Sequence, residues 1–127
     1  MENSDNLTTD VKFKNAECQG ERTLENQDGI IIDCSYQQVT DYLYELFDDY
    51  NEFVILTVAN MKRGVRYIQA VMEKGQVLIQ LGVEKGEYTR LVEKMFSQEE
   101  CIDIFREFYE SSFVHNIESY EPVKFFK

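Results

Sequence analysis

The feature that most constrains the fold is a period-two alternation of apolar and polar residues between residues 53 and 96. Residues 53–59 have the apolar, β-branched content of a buried strand, while residues 65–73 and 77–83 alternate between two faces. Tight turns at Lys74-Gly75 and Lys85-Gly86 separate these strands and a further one over 88–96. Parallel neighbours need a crossover of about a dozen residues or more, and these connections are shorter. The segment is therefore predicted to be a four-stranded antiparallel meander.

Two amphipathic helices are expected on either side of the meander. Ser35 followed by Gln38, and Ser97 followed by Glu100, each form a capping-box pattern at a helix start. The first helix is predicted over 35–50, and its apolar positions recur at helical spacing. These positions are Tyr36, Val39, Leu43, Leu46, Phe47 and Tyr50. The second helix is expected to end near Ser111-Ser112. Helices on one face of an antiparallel sheet make a two-layer α+β domain.

The two ends of the chain differ in character. Residues 113–127 are apolar enough to pack, and we expect them to supply a last strand. Residues 1–29 are polar, and Val11-Lys12-Phe13-Lys14 is their one candidate edge strand. We therefore expect a polar, partly flexible segment over 1–29, dispensable for folding, and a single domain over 30–127. Edge strands would extend the four-stranded sheet to five or six.

The composition argues against several functional classes. The longest apolar run has four residues, against the roughly 20 of a membrane span. The first residues are acidic where a secretory signal is basic, so we expect a cytoplasmic protein. A net charge of −11 disfavours nucleic acid and anionic membranes as partners.

The residues that carry chemistry are sparse. Cys18, Cys34 and Cys101 are widely spaced, and His115 is the single histidine. A zinc site needs closely spaced cysteines with further Cys or His ligands, so we expect free thiols and no bound metal or cofactor. No pattern of nucleophile, base or phosphate-binding glycine loop is present. We therefore predict no catalytic residues and a protein that is not an enzyme.

The distribution of charge is the strongest functional signal. Residues 34–52 contain five acids and no base, whereas residues 53–96 carry a net charge of +3. The five acids lie at helical spacing opposite the apolar positions, between two tyrosines. Such a surface is either the solvated face of an acidic protein or a binding surface for a basic protein. The predicted partner-binding residues are Asp41, Tyr42, Tyr44, Glu45, Asp48, Asp49 and Glu52.

A family resemblance rests on four segments between about residues 40 and 112. They are Gly64-Val65-Arg66-Tyr67-Ile68-Gln69-Ala70, Val77-Leu78-Ile79-Gln80-Leu81, Gly86-Glu87-Tyr88, and Ser97-Gln98-Glu99-Glu100 with Ile104, Phe105 and Phe108 after it. This pattern resembles small bacterial immunity proteins of polymorphic toxin and contact-dependent inhibition systems. The resemblance implies a non-enzymatic inhibitor that binds a cognate toxin domain made by the same cell. Many such toxins are basic nucleases, which the acidic helix would suit.

Two other classes remain open at this point. The order of helix, sheet and helix is also similar to that of small acidic secretion-type chaperones, which are usually dimeric and hold a segment of an effector. An inhibitor that mimics DNA fits the charge but not the ordinary hydrophobic sheet. An immunity protein is expected to bind its partner as a monomer, so the oligomeric state separates the first two classes.

Overall fold

The computed structural model describes residues 21–59 and 64–124, which form two helices and an antiparallel sheet. The elements in chain order are β1 (Arg22–Asn26), β2 (Gly29–Ile32), α1 (Tyr36–Phe47), β3 (Val54–Val58), β4 (Val65–Glu73), β5 (Gln76–Lys85), β6 (Tyr88–Phe96), α2 (Gln98–Ser111), a 3-10 helix (Ile117–Ser119) and β7 (Glu121–Pro122). The α+β class and the two capping-box helix starts are confirmed. Neither α-helix in these ranges is long and apolar enough to cross a membrane.

The described residues place seven strands in one sheet, in the order β2-β1-β3-β4-β5-β6-β7. The predicted meander is present as β3 to β6, with antiparallel pairing between consecutive strands. The prediction of four to six strands is wrong because β1 and β2 add a hairpin at one edge and β7 adds a short strand at the other. The expectation that the C-terminal segment packs is confirmed for Val114 and Tyr120, which are both buried.

The boundary at residue 29 needs correction, because β1 lies between β2 and β3 inside the sheet. Leu24 is opposite Leu56 of β3 and is fully buried. Residues 22–29 are therefore part of the folded domain and cannot be removed without exposing the interior of the sheet. Val11-Lys12-Phe13-Lys14, proposed above as an edge strand, lies outside the described residues.

The core lies between one face of the sheet and the two helices. Alternate strand residues such as Leu56, Ile68 and Leu81 are fully buried, as are Leu43 of α1 and Phe105 of α2. The cross-strand register places the three strand residues on the same face of the sheet. This packing fixes both helices and so determines which of their side chains reach solvent.

On the opposite face of the sheet, a row of two amides and one carboxylate lies between a row that contains Leu78 and Met95 and a row that contains Tyr67 and Leu91. Gln69 Nε2 donates to Gln80 Oε1 at 3.2 Å, and Gln80 Nε2 donates to Glu93 Oε1 at 2.9 Å. Beside this row, the ring of Tyr67 lies over Gly82, where a Cβ atom would approach ring atom Cζ to 2.7 Å. Glycine at position 82 therefore provides the space that the tyrosine ring occupies.

Candidate protein-binding groove

A groove opens where α1 ends beside the turn between β1 and β2. It has a volume of about 660 Å³ and is lined by three tyrosines, three carboxylates and two amides. These lining residues are Asn26, Asp28, Tyr42, Tyr44, Glu45, Asp48, Tyr50 and Asn51. We call this feature the acidic tyrosine groove.

The groove has its shape partly because α1 ends earlier than predicted. The helix was predicted to continue to residue 50, but α1 ends at Phe47. Asp49 adopts a left-handed conformation with φ of 67°, and its N–H donates to the carbonyl of Leu46 at 3.1 Å. The N–H of Tyr50 donates to the carbonyl of Glu45 at 2.8 Å. This pair of bonds is the Schellman termination, with aspartate at the position that glycine usually occupies.

The early end reverses the prediction for Tyr50. That tyrosine was assigned to the apolar stripe of the helix, but its side chain is 77% exposed. Tyr44 is 56% exposed and meets the ring of Phe47 edge-on, with 6.0 Å between the ring centroids. Two large aromatic side chains therefore project into solvent on the rim of the groove. Tyrosine provides much contact area at low conformational cost, which is why it is frequent at binding surfaces.

A buried amide network holds the two sides of the groove together. The side chains of Asn26 and Asn51 are 6% and 7% exposed, and Asn26 Nδ2 donates to Asn51 Oδ1 at 3.0 Å. Asn51 Nδ2 in turn donates to the carbonyl of Tyr42 at 3.0 Å and to Glu45 Oε1 at 3.3 Å. Gln27 Nε2 adds a bond to Asn51 Oδ1 at 3.1 Å. The network joins the β1–β2 turn to α1 and so holds the two sides of the groove in a defined arrangement.

The electrostatics of the groove are those of uncompensated negative charge. Asp28, Glu45 and Asp48 line it, and within the described ranges none of these carboxylates forms an ion pair. The last turn of α1 contains no basic residue, so the acids there also oppose the helix dipole. The pKa of Tyr42 is raised by burial first and then by the negative charges of Glu45 and Asp28. Its phenol therefore stays protonated beside these carboxylates.

The predicted site residues divide into two groups. Tyr42, Tyr44, Glu45 and Asp48 come together in the groove. The other three, Asp41, Asp49 and Glu52, are exposed but do not line it, and Asp41 accepts a bond from Gln37 Nε2 at 2.9 Å on the outer face of α1.

The other lining residues were not predicted from the sequence. They are Asn26, Asp28, Tyr50 and Asn51. Asp28-Gly29 has the sequence of a turn, and nothing in that pattern places it beside the acidic end of α1. The pairing of Asn26 with Asn51 carried no local signal, because it joins residues 25 positions apart.

Reactive side chains in the described ranges lie apart from the groove. Cys34 and Cys101 are buried, and burial raises the pKa of the Cys101 thiol to about 12, which leaves it un-ionised. His115 is exposed and its Nδ1 lies 2.8 Å from Glu107 Oε1. No cluster of three or more Cys, His, Asp or Glu side chains in these ranges could hold a metal ion. Neither cysteine of the described ranges nor His115 is among the residues that line the groove.

Comparisons with known proteins identify no relative of this chain. No protein-family model matches the chain, and neither a curated protein nor a solved structure matches it.

Proposed function

We propose that this protein is an inhibitor that binds a basic protein partner through the acidic tyrosine groove, in the manner of an immunity protein. The observation that carries the proposal is the meeting, in one concave surface, of three tyrosines and three carboxylates that form no ion pair with any described residue. A basic partner would supply the missing positive charge, and the exposed tyrosines would supply contact area at the centre of the interface.

The energetics of α1 support a binding role for its acids. Like charges four residues apart, such as Asp41 and Glu45, repel by a few tenths of a kcal/mol. Acids in the last turn also interact unfavourably with the helix dipole, at about 0.3–1 kcal/mol each. These terms lower the stability of the free protein, and a cationic partner would remove both of them. A surface whose charges destabilise the free protein and are compensated in a complex is typical of a binding site.

The rigidity of the groove supports a folded partner over an extended peptide. The Asn26–Asn51 network is buried and joins two elements, so the groove is organised before binding. Pre-organisation reduces the conformational entropy lost on association and favours tight one-to-one complexes. The partner we propose is a toxin domain with a basic surface, and a nuclease fits this description because it must bind phosphate.

A paired affinity experiment tests the proposal. Wild-type protein and a triple variant, Glu45→Gln with Asp48→Asn and Asp49→Asn, serve as baits in lysate of the source cell. A charge-matched control neutralises exposed acids elsewhere, at Glu73, Glu87 and Glu110.

The informative result is a single basic protein that wild type and control retain and the triple variant loses. That protein is then purified and must form a one-to-one complex with the wild type. Capture that is equal for all three baits would contradict the proposal.

An acidic dimeric chaperone is the second candidate, and one surface favours it. Ile30 and Ile32 of β2 are each 57% exposed on the outer face of the sheet, at the edge of the described strands. An apolar edge of this kind suits self-association or addition of an effector segment. Light scattering on purified protein separates the candidates: a monomer supports the inhibitor, and a stable dimer supports the chaperone.

A further inference from the structure

A second concave site, which shares no residue with the acidic tyrosine groove, lies under the β5–β6 hairpin. It is a cleft of about 340 Å³ between the helix-side face of the hairpin and the 3-10 helix that precedes β7. Its floor is apolar and consists of Val83, Val92 and Tyr120, each at most 9% exposed, with half-buried Ile117 beside them. A volume near the lower end of the roughly 300–1,000 Å³ of ligand sites suits a short hydrocarbon chain.

Two cations stand at the rim of this cleft. In the register of β5 and β6, Val83 is opposite Arg90 and Lys85 is opposite Tyr88. Arg90 and Lys85 are therefore diagonal neighbours on the same face as the apolar floor, and the Cα atoms of such neighbours are typically about 7–8 Å apart. Both line the cleft, and both are exposed. Two positively charged side chains thus border the same apolar floor.

These cations remain uncompensated in a chain that is rich in acids. The sequence has 24 acidic and 13 basic residues, yet neither Lys85 nor Arg90 forms an ion pair within the described part of the chain. Glu118 lines the opposite side of the cleft and is likewise without an ion pair there. An anion placed between the two cations would accept charge-assisted hydrogen bonds from both.

We infer that the cleft binds a small amphiphilic carboxylate. Its apolar body lies on Val83, Val92 and Tyr120, and its carboxylate lies between Lys85 and Arg90. Charge complementarity selects the anionic head, and the apolar floor selects the chain, so neither a phosphate ion nor a neutral alcohol meets both requirements. The same chemistry occurs in a free short-chain acid and in the carboxyl end of a hydrophobic peptide. This inference is independent of the proposed inhibitor function.

Octanoate is the test ligand, and 1-octanol is its uncharged match. Each is titrated into the full-length protein and followed by methyl and amide NMR, with calorimetry for stoichiometry. We expect one octanoate per chain, saturable below about 10 mM, with shift changes centred on Val83, Val92 and Tyr120. Octanol is expected to bind at least about tenfold more weakly, because it lacks the charge that pairs with the rim.

Three single variants separate the rim from a general charge effect. Lys85→Gln and Arg90→Gln should each weaken octanoate binding by about fivefold or more. Lys74→Gln changes the net charge equally at the far end of β5, in the β4–β5 turn, and should leave binding unchanged. Glu118→Gln should tighten binding, because it removes the carboxylate on the opposite wall.

A hydrophobic tripeptide with a free carboxyl end, tested beside its amide, distinguishes the two sources of the ligand. Tighter binding of the peptide acid than of octanoate assigns the cleft to a protein terminus, and the reverse assigns it to a free acid. The inference is overturned if octanoate and octanol bind alike, if the shifts map elsewhere, or if Lys74→Gln weakens binding as much as the rim variants do.

Discussion

Asn51→Asp is the most direct perturbation of the amide network that shapes the groove. The substitution preserves the shape of the side chain and the oxygen that accepts from Asn26 and Gln27. It replaces the amide nitrogen, which donates to the carbonyl of Tyr42 and to the carboxylate of Glu45, with an oxygen. In the variant, the new oxygen faces two other acceptors, the carbonyl of Tyr42 and the negatively charged carboxylate of Glu45, and both donated hydrogen bonds are lost.

The magnitude follows from those two contacts. An unsatisfied buried polar group costs about 1–3 kcal/mol, and a buried charge without a partner costs more. We expect the variant to lose about 3–4 kcal/mol of unfolding free energy near pH 7. The neighbouring oxygens disfavour ionisation, so the folded-state pKa of the introduced carboxyl group lies above its value of about 3.9 in the unfolded chain. The penalty is therefore complete above the folded-state pKa and shrinks as the pH falls toward the unfolded value, where the protonated acid can donate to Tyr42.

Denaturant unfolding at about pH 7 and about pH 4.5 measures this effect, with the m-value as a check on two-state behaviour. Gln27→Ala is the control, because Gln27 belongs to the same network but is only half-buried, so its loss should cost about 1 kcal/mol or less. A loss below about 1 kcal/mol for Asn51→Asp, or a loss that does not change with pH, would refute the role assigned to the network.

Three further outcomes are expected. Asp49→Gly should stabilise the protein by about 1 kcal/mol in thermal or chemical unfolding, because glycine adopts the left-handed conformation at φ of 67° without strain; unchanged stability would contradict this. Gly82→Ala should destabilise it by about 1–3 kcal/mol because the new methyl group meets the Tyr67 ring, and a Tyr67→Ala background should remove most of that loss; equal losses in both backgrounds would exclude the contact. Burial raises the pKa of the Cys101 thiol from 9.0 to about 12, so this thiol should resist alkylation in the native protein. The free energy of unfolding should also fall as the pH rises above 9, because the thiol ionises first in the unfolded chain. Rapid labelling of the native protein, measured by peptide mass spectrometry, would argue against the burial of Cys101.

The parts of the fold that the sequence predicted are those with strong local signals. Tight turns at Lys74 and Gly86 and strict alternation define β4 to β6, and Ser35 and Ser97 mark both helix starts through bonds that span three residues. β1 was missed because its burial depends on pairing with β3, which is distant in sequence. Only Leu24 and Asn26 of that strand are buried, so its composition resembles that of a loop.

The site shows the same division between local and long-range signals. The acids and tyrosines of α1 follow from helical spacing, which places Tyr44, Glu45 and Asp48 near one another. The end of the helix could not be predicted from this spacing. Asp49 occupies the left-handed position, where a glycine would have indicated that the helix ends. The left-handed conformation of Asp49 ends the helix and turns Tyr50 outward, onto the rim of the groove. The contribution of Asn26 and Asn51 depends on tertiary packing and has no sequence pattern of its own.

The measurement that tests the proposed function most directly is the salt dependence of partner binding by wild type, by the Glu45→Gln, Asp48→Asn, Asp49→Asn triple variant and by the charge-matched control. Association rates are measured by surface plasmon resonance at two ionic strengths, with thermal melts as a check on folding. At 0.1 M salt, screening limits the reach of exposed charges to about 10 Å. We predict that association of the wild type and of the control slows as salt rises. The triple variant should melt no lower than wild type, associate more slowly and show a flatter salt dependence. An unchanged affinity and an unchanged salt slope in the triple variant would contradict the proposal and leave these acids as a solvated surface.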